Sequence, residues 1–85
     1  MADTTAVQVR YFAAASDAAG CVKETLDLPA GASLADLESV IVERHGDRMR
    51  RVLSVAAFLV EDDLTRDRTV LAGPAVDVLP PFAGG

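Results

Sequence analysis

The sequence predicts an α+β domain: a mixed β-sheet packed on one main helix, with a flexible, extended C-terminal tail. Three observations carry that reading. Short runs near both ends of the chain alternate apolar and polar residues with a period of two, the sign of half-buried strands. Between them, one segment has the caps and apolar spacing of a full-length helix. The last strand runs into "PPFAGG", Pro80 to Gly85, which suits neither strand nor helix. Eighty-five residues make one domain, near the lower limit at which a single core folds unaided, and 51% hydrophobic residues can fill that core. Residues 1–5 are expected to be disordered, 6–79 to form the domain and 80–85 to project from it.

The elements follow in order. "VQVRYF" sets Val7, Val9 and Tyr11 on one face against Gln8, Arg10 and Phe12, which makes strand one. "AAASDAAG" reads as a short helical turn closed by Gly20. "VKETLDLPAG" is a second strand, with Val22, Glu24, Leu26 and Leu28 on one side and Lys23, Thr25 and Asp27 on the other. Ser33 then caps the main helix and Asp36 sits in its first turn, where the dipole favours negative charge. Leu34, Leu37, Val40 and Ile41 share one helix face, Arg44 and His45 occupy the last turn, and Gly46 is the stop. "RMRRVL" forms a second, short helix and "SVAAFLVE" a buried strand. A turn follows, with a brief edge strand around Thr69 to Leu71. In "AVDVL", Val76 and Val78 face in while Asp77 and Leu79 face out, and Pro80-Pro81 end the pairing because proline has no amide hydrogen. The order strand, strand, helix, strand, edge strand, strand, with the last strand returning to the middle, resembles the β-grasp, or ubiquitin-like, arrangement. A ferredoxin-like fold requires a second full-length helix.

Composition narrows the function classes. The single cysteine, Cys21, excludes an internal disulfide and four-thiolate metal or iron–sulfur sites, and points to a reducing compartment. "MADTTAV" lacks the basic and apolar regions of a signal peptide, and no segment approaches the length of a membrane span, so a cytoplasmic protein is expected. A formal charge of −5 disfavours nucleic acid and anionic membranes as partners. The local basic cluster at Arg48, Arg50 and Arg51 reads as a solvated helical face, and the lone His45 as a helix-end residue. No metal site is expected. Neither a Cys-His or Ser-His arrangement nor a glycine-rich phosphate loop stands out.

The tail carries the chemistry instead. By average residue usage, Gly-Gly ends a chain by chance about once in 200, and a Pro pair at a fixed earlier position makes this on the order of once in 100,000, so chance is a weak reading of this ending. Six residues beyond the last strand reach about 20 Å. Pro80-Pro81 favours an extended stem, Gly84 and Gly85 can thread a channel too narrow for other residues, and the tip presents the Gly85 carboxylate. A free carboxylate is a poor electrophile and needs activation, for example as an acyl-adenylate attacked by sulfur or nitrogen; this requires no side chain of this chain. Phe12 and Leu79 are apolar on the outward phase of their strands. If the first and last strands pair, they form an exposed apolar patch at the root of the tail, the kind of feature that marks a docking site. Pro80, Pro81, Phe82 and Ala83 extend that surface, and Leu64 of the acidic hairpin "EDDLT" is a further candidate.

"VRYFAAASDAAG" (9 to 20) and "GPAVDVLPPFAGG" (73 to 85), joined by this element order, resemble the small sulfur-carrier subunit of molybdopterin synthase, in the MoaD/ThiS family. The resemblance covers nearly the whole chain and is most specific in pairing an aromatic first strand with "VLPPFAGG". It implies that a partner adenylating, E1-like enzyme uses Mg-ATP to activate Gly85 and that a sulfur donor converts it to a thiocarboxylate. The tail then enters the large synthase subunit, where sulfur passes to cyclic pyranopterin monophosphate in molybdenum cofactor biosynthesis. It also implies no permanently bound cofactor, no catalytic side chain on this chain, a monomer alone, and two copies in a heterotetramer with the large subunit. Gly85 carries over as the sulfur-bearing terminus and Gly84 as the residue needed for threading. Pro74 stands where relatives commonly have an acidic residue, and Ser16 where some carry a basic one. Carriers for thiazole, cysteine or tRNA thiolation, and ubiquitin-like protein modifiers, share the Gly-Gly end and are the alternatives.

Overall fold

Reciprocal capping sets the position of the main helix. In the computed structural model, which describes residues 3–81, Ser33 Oγ accepts from the Asp36 amide at 3.2 Å while Asp36 Oδ2 accepts from the Ser33 amide at 2.9 Å. Both bonds satisfy amides that the first turn of α2 (Leu34–His45) would otherwise leave free. Gly46, at φ 90°, ends the helix, as its position after Arg44 and His45 predicts. A short α1 (Ala14–Ala19) closes on a left-handed Gly20, and α3 (Asp47–Leu53) follows Gly46 directly.

Five strands form one sheet: β1 (Thr4–Tyr11), β2 (Lys23–Pro29), β3 (Ala57–Val60), β4 (Asp63–Thr65) and β5 (Ala75–Leu79). Their spatial order is β2-β1-β5-β3-β4. The last strand therefore lies in the centre, parallel to β1 with Tyr11 opposite Val78, and antiparallel to β3 with Phe58 opposite Val78. This is the β-grasp topology. One sheet face is covered by the helices: Val7, Val9, Tyr11, Leu26, Leu28, Phe58, Val60, Val76 and Val78 pack with Leu34, Leu37, Ile41, Met49 and Leu53 into one core. Burying side chains of this size contributes roughly 1.5–3 kcal/mol each before the entropy of ordering is counted.

Arg68 ties the long β4–β5 connection to that core. Its guanidinium donates to the carbonyls of Leu53 (2.7 Å), Ala56 (3.1 Å) and Arg66 (3.0 Å) and to Glu38 (2.9 Å), and lies 4.6 Å from the centre of the Phe58 ring. One cation from a connection with almost no regular structure thus satisfies carbonyls at the end of α3, in the turn after it and in the connection itself.

Four local expectations are corrected. The edge strand is Asp63–Thr65, not Thr69 to Leu71, because Glu61 and Asp62 both adopt positive φ (49° and 72°) and fold the chain into a two-residue hairpin without glycine. Leu71 makes only an isolated bridge, to Ser33. Strand one begins at Thr4 rather than Val7; Thr4 and Thr5, inside the stretch expected to be disordered, pair with Pro29 and Leu28 because β2 extends far enough to meet them. Val22, expected on the inward face of strand two, precedes that strand and is 69% exposed. Pro80, read as the first residue of a projecting tail, is buried, and Pro81 is the first exposed residue after β5.

Candidate docking face at the root of the C-terminal segment

The strand registers place the side chains of the open sheet face in rows. Phe12 follows Tyr11, which faces Val78, and Ala57 faces Leu79; continuing each ladder by one residue gives Phe12, Leu79, Ala57 and Arg66 across the sheet. The adjacent row on the same face is Lys23, Arg10, Asp77, Leu59 and Leu64. At the first row the surface forms a concavity of about 400 Å³ lined by Phe12, Ala13, Ala57, Leu64, Arg66, Leu79, Pro80 and Pro81. Phe12 is 40% and Leu64 64% exposed. The structure thus brings together Phe12, Leu64, Leu79, Pro80 and Pro81 from three separate parts of the chain. Phe82, Ala83, Gly84 and Gly85 lie outside the described residues.

Asp77 was expected to face out, and it does, yet it is only 8% exposed. Arg10 covers it with two bonds, Nε to Oδ1 at 2.8 Å and Nη2 to Oδ2 at 2.7 Å, and its guanidinium also sits 5.5 Å from the centre of the Phe12 ring. Both carboxylate oxygens are engaged by one planar fork, which fixes the pair and neutralises it. Ala13, at the rim, holds φ 52° and ψ −129°, a conformation side chains rarely adopt. The sequence shows no sign of this; it follows from the sharp turn between Phe12 and α1.

A second polar cluster sits under the helix-covered side. Glu24 accepts from Tyr11 Oη at 2.6 Å and Arg44 Nε at 2.7 Å, and its Oε2 lies 2.5 Å from His45 Nε2. The His45 ring also meets the Tyr11 ring edge-on, centroids 5.9 Å apart. Burial pushes the Glu24 carboxyl up, but the bonds from Tyr11 and His45 and the charges of His45 and Arg44 outweigh it, so the group is held below its ordinary value. Tyr11 is raised, first by burial and then by its bond to Glu24. The cluster locks the C-terminal end of α2 to β1 and β2. A carboxylate on the inward phase of an apolar strand was the signal in the sequence that such partners had to exist. Among the described residues, no three His, Cys, Asp or Glu side chains are placed to hold a metal ion, and no helix is long and apolar enough to cross a membrane.

A β-grasp body with an apolar concavity where the last strand ends defines a ubiquitin-like domain. Residues 9–85 match the ThiS family, and the chain belongs to it. Its structure is similar to that of a Pyrococcus furiosus protein assigned as molybdopterin converting factor, subunit 1, at 25% identity and a TM-score of 0.77, covering 92% of this chain and 99% of that one. It is also similar to SAMP1 from Haloferax volcanii, at 18% identity and a TM-score of 0.79, over 94% of this chain and 99% of that one. A complex of subunits 1 and 2 of molybdopterin-converting factor from Helicobacter pylori matches at 23% identity and a TM-score of 0.61, over 95% of this chain and 100% of the matched chain. The latter two likenesses establish the fold. No curated protein matches the sequence.

Proposed function

We propose that this chain is the sulfur-carrying subunit of a molybdopterin synthase. The observation that carries the reading is that the family match runs through Gly84 and Gly85, while the open sheet face gathers apolar residues where β5 ends. Docking at Phe12, Leu64, Leu79 and Pro81 would hold the body while the following residues enter a partner's active site. The chain's own part is to present the Gly85 carboxylate. A partner adenylating enzyme, using Mg-ATP, joins it to AMP with loss of pyrophosphate. Sulfur from a donor displaces AMP to leave a thiocarboxylate, which passes its sulfur to cyclic pyranopterin monophosphate on the large subunit. The chain keeps no cofactor, acts in the cytoplasm, and assembles as two copies with two large subunits. The similarity to a molybdopterin converting factor subunit 1 supports this recipient over those of other carriers.

The test is reconstitution. Incubated with an adenylating enzyme, Mg-ATP and a sulfur donor, the chain should gain the mass difference of one sulfur for one oxygen. Mixed with a molybdopterin synthase large subunit, it should then convert the pterin precursor. Loading without conversion by several large subunits would assign the sulfur to another pathway. Isopeptide conjugates on other proteins, in place of a thiocarboxylate, would make the chain a modifier.

A further inference from the structure

The concavity is not purely apolar, and it is lined by one cation. Arg66 ends the row Phe12, Leu79, Ala57, Arg66; it is exposed and makes no ion pair among the described residues. Arg10, in the neighbouring row, is committed to Asp77 through both carboxylate oxygens. Lys23, opposite Arg10 on β2, is also exposed and without an ion pair among the described residues, but it lies at the far edge of the sheet and does not line the concavity. Arg66 is the unneutralised positive charge that stands beside the exposed apolar side chains, on a chain whose net charge is −5.

Resting on the docking role above, we propose that Arg66 is a specificity-determining residue: it selects a large subunit that presents a carboxylate beside the apolar side chain filling the Phe12–Leu64–Leu79 concavity. Arg66 is the one cation that lines the concavity, so charge favours the orientation that brings the partner's carboxylate to this corner as its apolar side chain fills the concavity. Apolar contact then supplies the affinity. The fixed Arg10–Asp77 pair contributes a flat neutral floor, because Asp77 has no free oxygen to repel the incoming group. An exposed arginine at the edge of an apolar patch, desolvated when a partner covers it, is a common hot-spot arrangement.

The experiment measures binding of the full chain to the molybdopterin synthase large subunit of the same organism, by calorimetry at low and high salt. Arg66→Glu should weaken binding about tenfold or more near 0.05 M salt, and the difference from the unsubstituted chain should shrink to about threefold or less near 0.5 M, where screening shortens the reach of charge. Leu64→Ala should weaken binding at both salts. Thermal unfolding of both variants should match the unsubstituted chain, since both side chains are exposed. Equal binding by Arg66→Glu, or a loss independent of salt, overturns the role of Arg66 and leaves the docking reading intact. No binding by the unsubstituted chain overturns both. Self-association that Arg66→Glu abolishes would assign the face to a second copy and also overturn the proposal.

Discussion

The two faces of this sheet are built from the same strands by opposite rules. On the helix-covered face, alternate residues of β1, β5 and β3 (Val7, Val9, Val76, Val78, Phe58) are sealed, and its chief polar cluster, around Glu24, is fully bonded. On the open face, one pleat away, Phe12 and Leu64 stay exposed, Arg10 and Asp77 bond only each other, and Arg66 has no ionic partner among the described residues. The covered face has spent its interactions on folding, whereas the open one still has unused valence for a partner. Substitutions on the two faces should therefore separate stability from function.

The largest separation is expected at the end of the chain. Deleting Gly85 should abolish sulfur loading, read by intact mass, and leave the melting temperature unchanged; a loss of stability like that of a core substitution would break the contrast. Leu37→Ala should do the reverse. Leu37 is fully buried on α2, so truncation should cost about 3 kcal/mol, seen as a lower urea midpoint, while the folded fraction still loads sulfur.

This division was partly legible in the sequence. Period-two alternation put Val76 and Val78 inside and Leu79 outside, and the Ser33–Asp36 spacing located α2, because these signals are local and repeat over several residues. The place of the edge strand was not legible: "EDDLT" reads as a hairpin, but without a glycine to fix a two-residue turn at Glu61-Asp62 nothing shows that the strand resumes at once, at Asp63. Nor was the burial of Asp77, which depends on Arg10 sixty-seven positions away. Leu64 was a weak candidate by sequence for the same reason: only the register Leu59 to Leu64 brings it onto the face of Phe12 and Leu79. Arg68 gave no sequence signal at all; its role exists only where α3, β3 and the loop converge.

A smaller test probes the polar cluster of the covered face. Because Glu24 is held below its ordinary value, the unfolded chain binds the proton more readily, so its stabilisation is present above the unfolded pKa and is lost as pH falls through the folded one. Stability should therefore fall on acidification below the ordinary carboxylate pKa of 4.5. Glu24→Gln should cost about 2 kcal/mol at neutral pH and flatten that acid limb. If the limb keeps its full slope, the cluster does not hold α2 through the carboxylate charge. Sulfur loading should be unaffected, because none of Tyr11, Arg44 and His45 lines the concavity.

The smallest effect is expected where the two faces meet. Ala13 carries the chain from Phe12, on the open face, into α1, whose Ala15 is buried in the core, and it does so at φ 52° and ψ −129°. The turn is held by its carbonyl, which accepts from the Ser16 amide at 3.0 Å and from Ser16 Oγ at 2.8 Å. A side chain there is strained, and glycine is not, so Ala13→Gly should stabilise by about 1 kcal/mol after the extra freedom glycine gives the unfolded chain is subtracted. The melting temperature should rise by about 4–8 °C. If the same substitution weakens partner binding while raising stability, the strain serves to hold Phe12 at the rim of the concavity. If the melting temperature falls, the backbone at Ala13 is not strained, and the boundary between the faces is set by the Ser16 bonds alone.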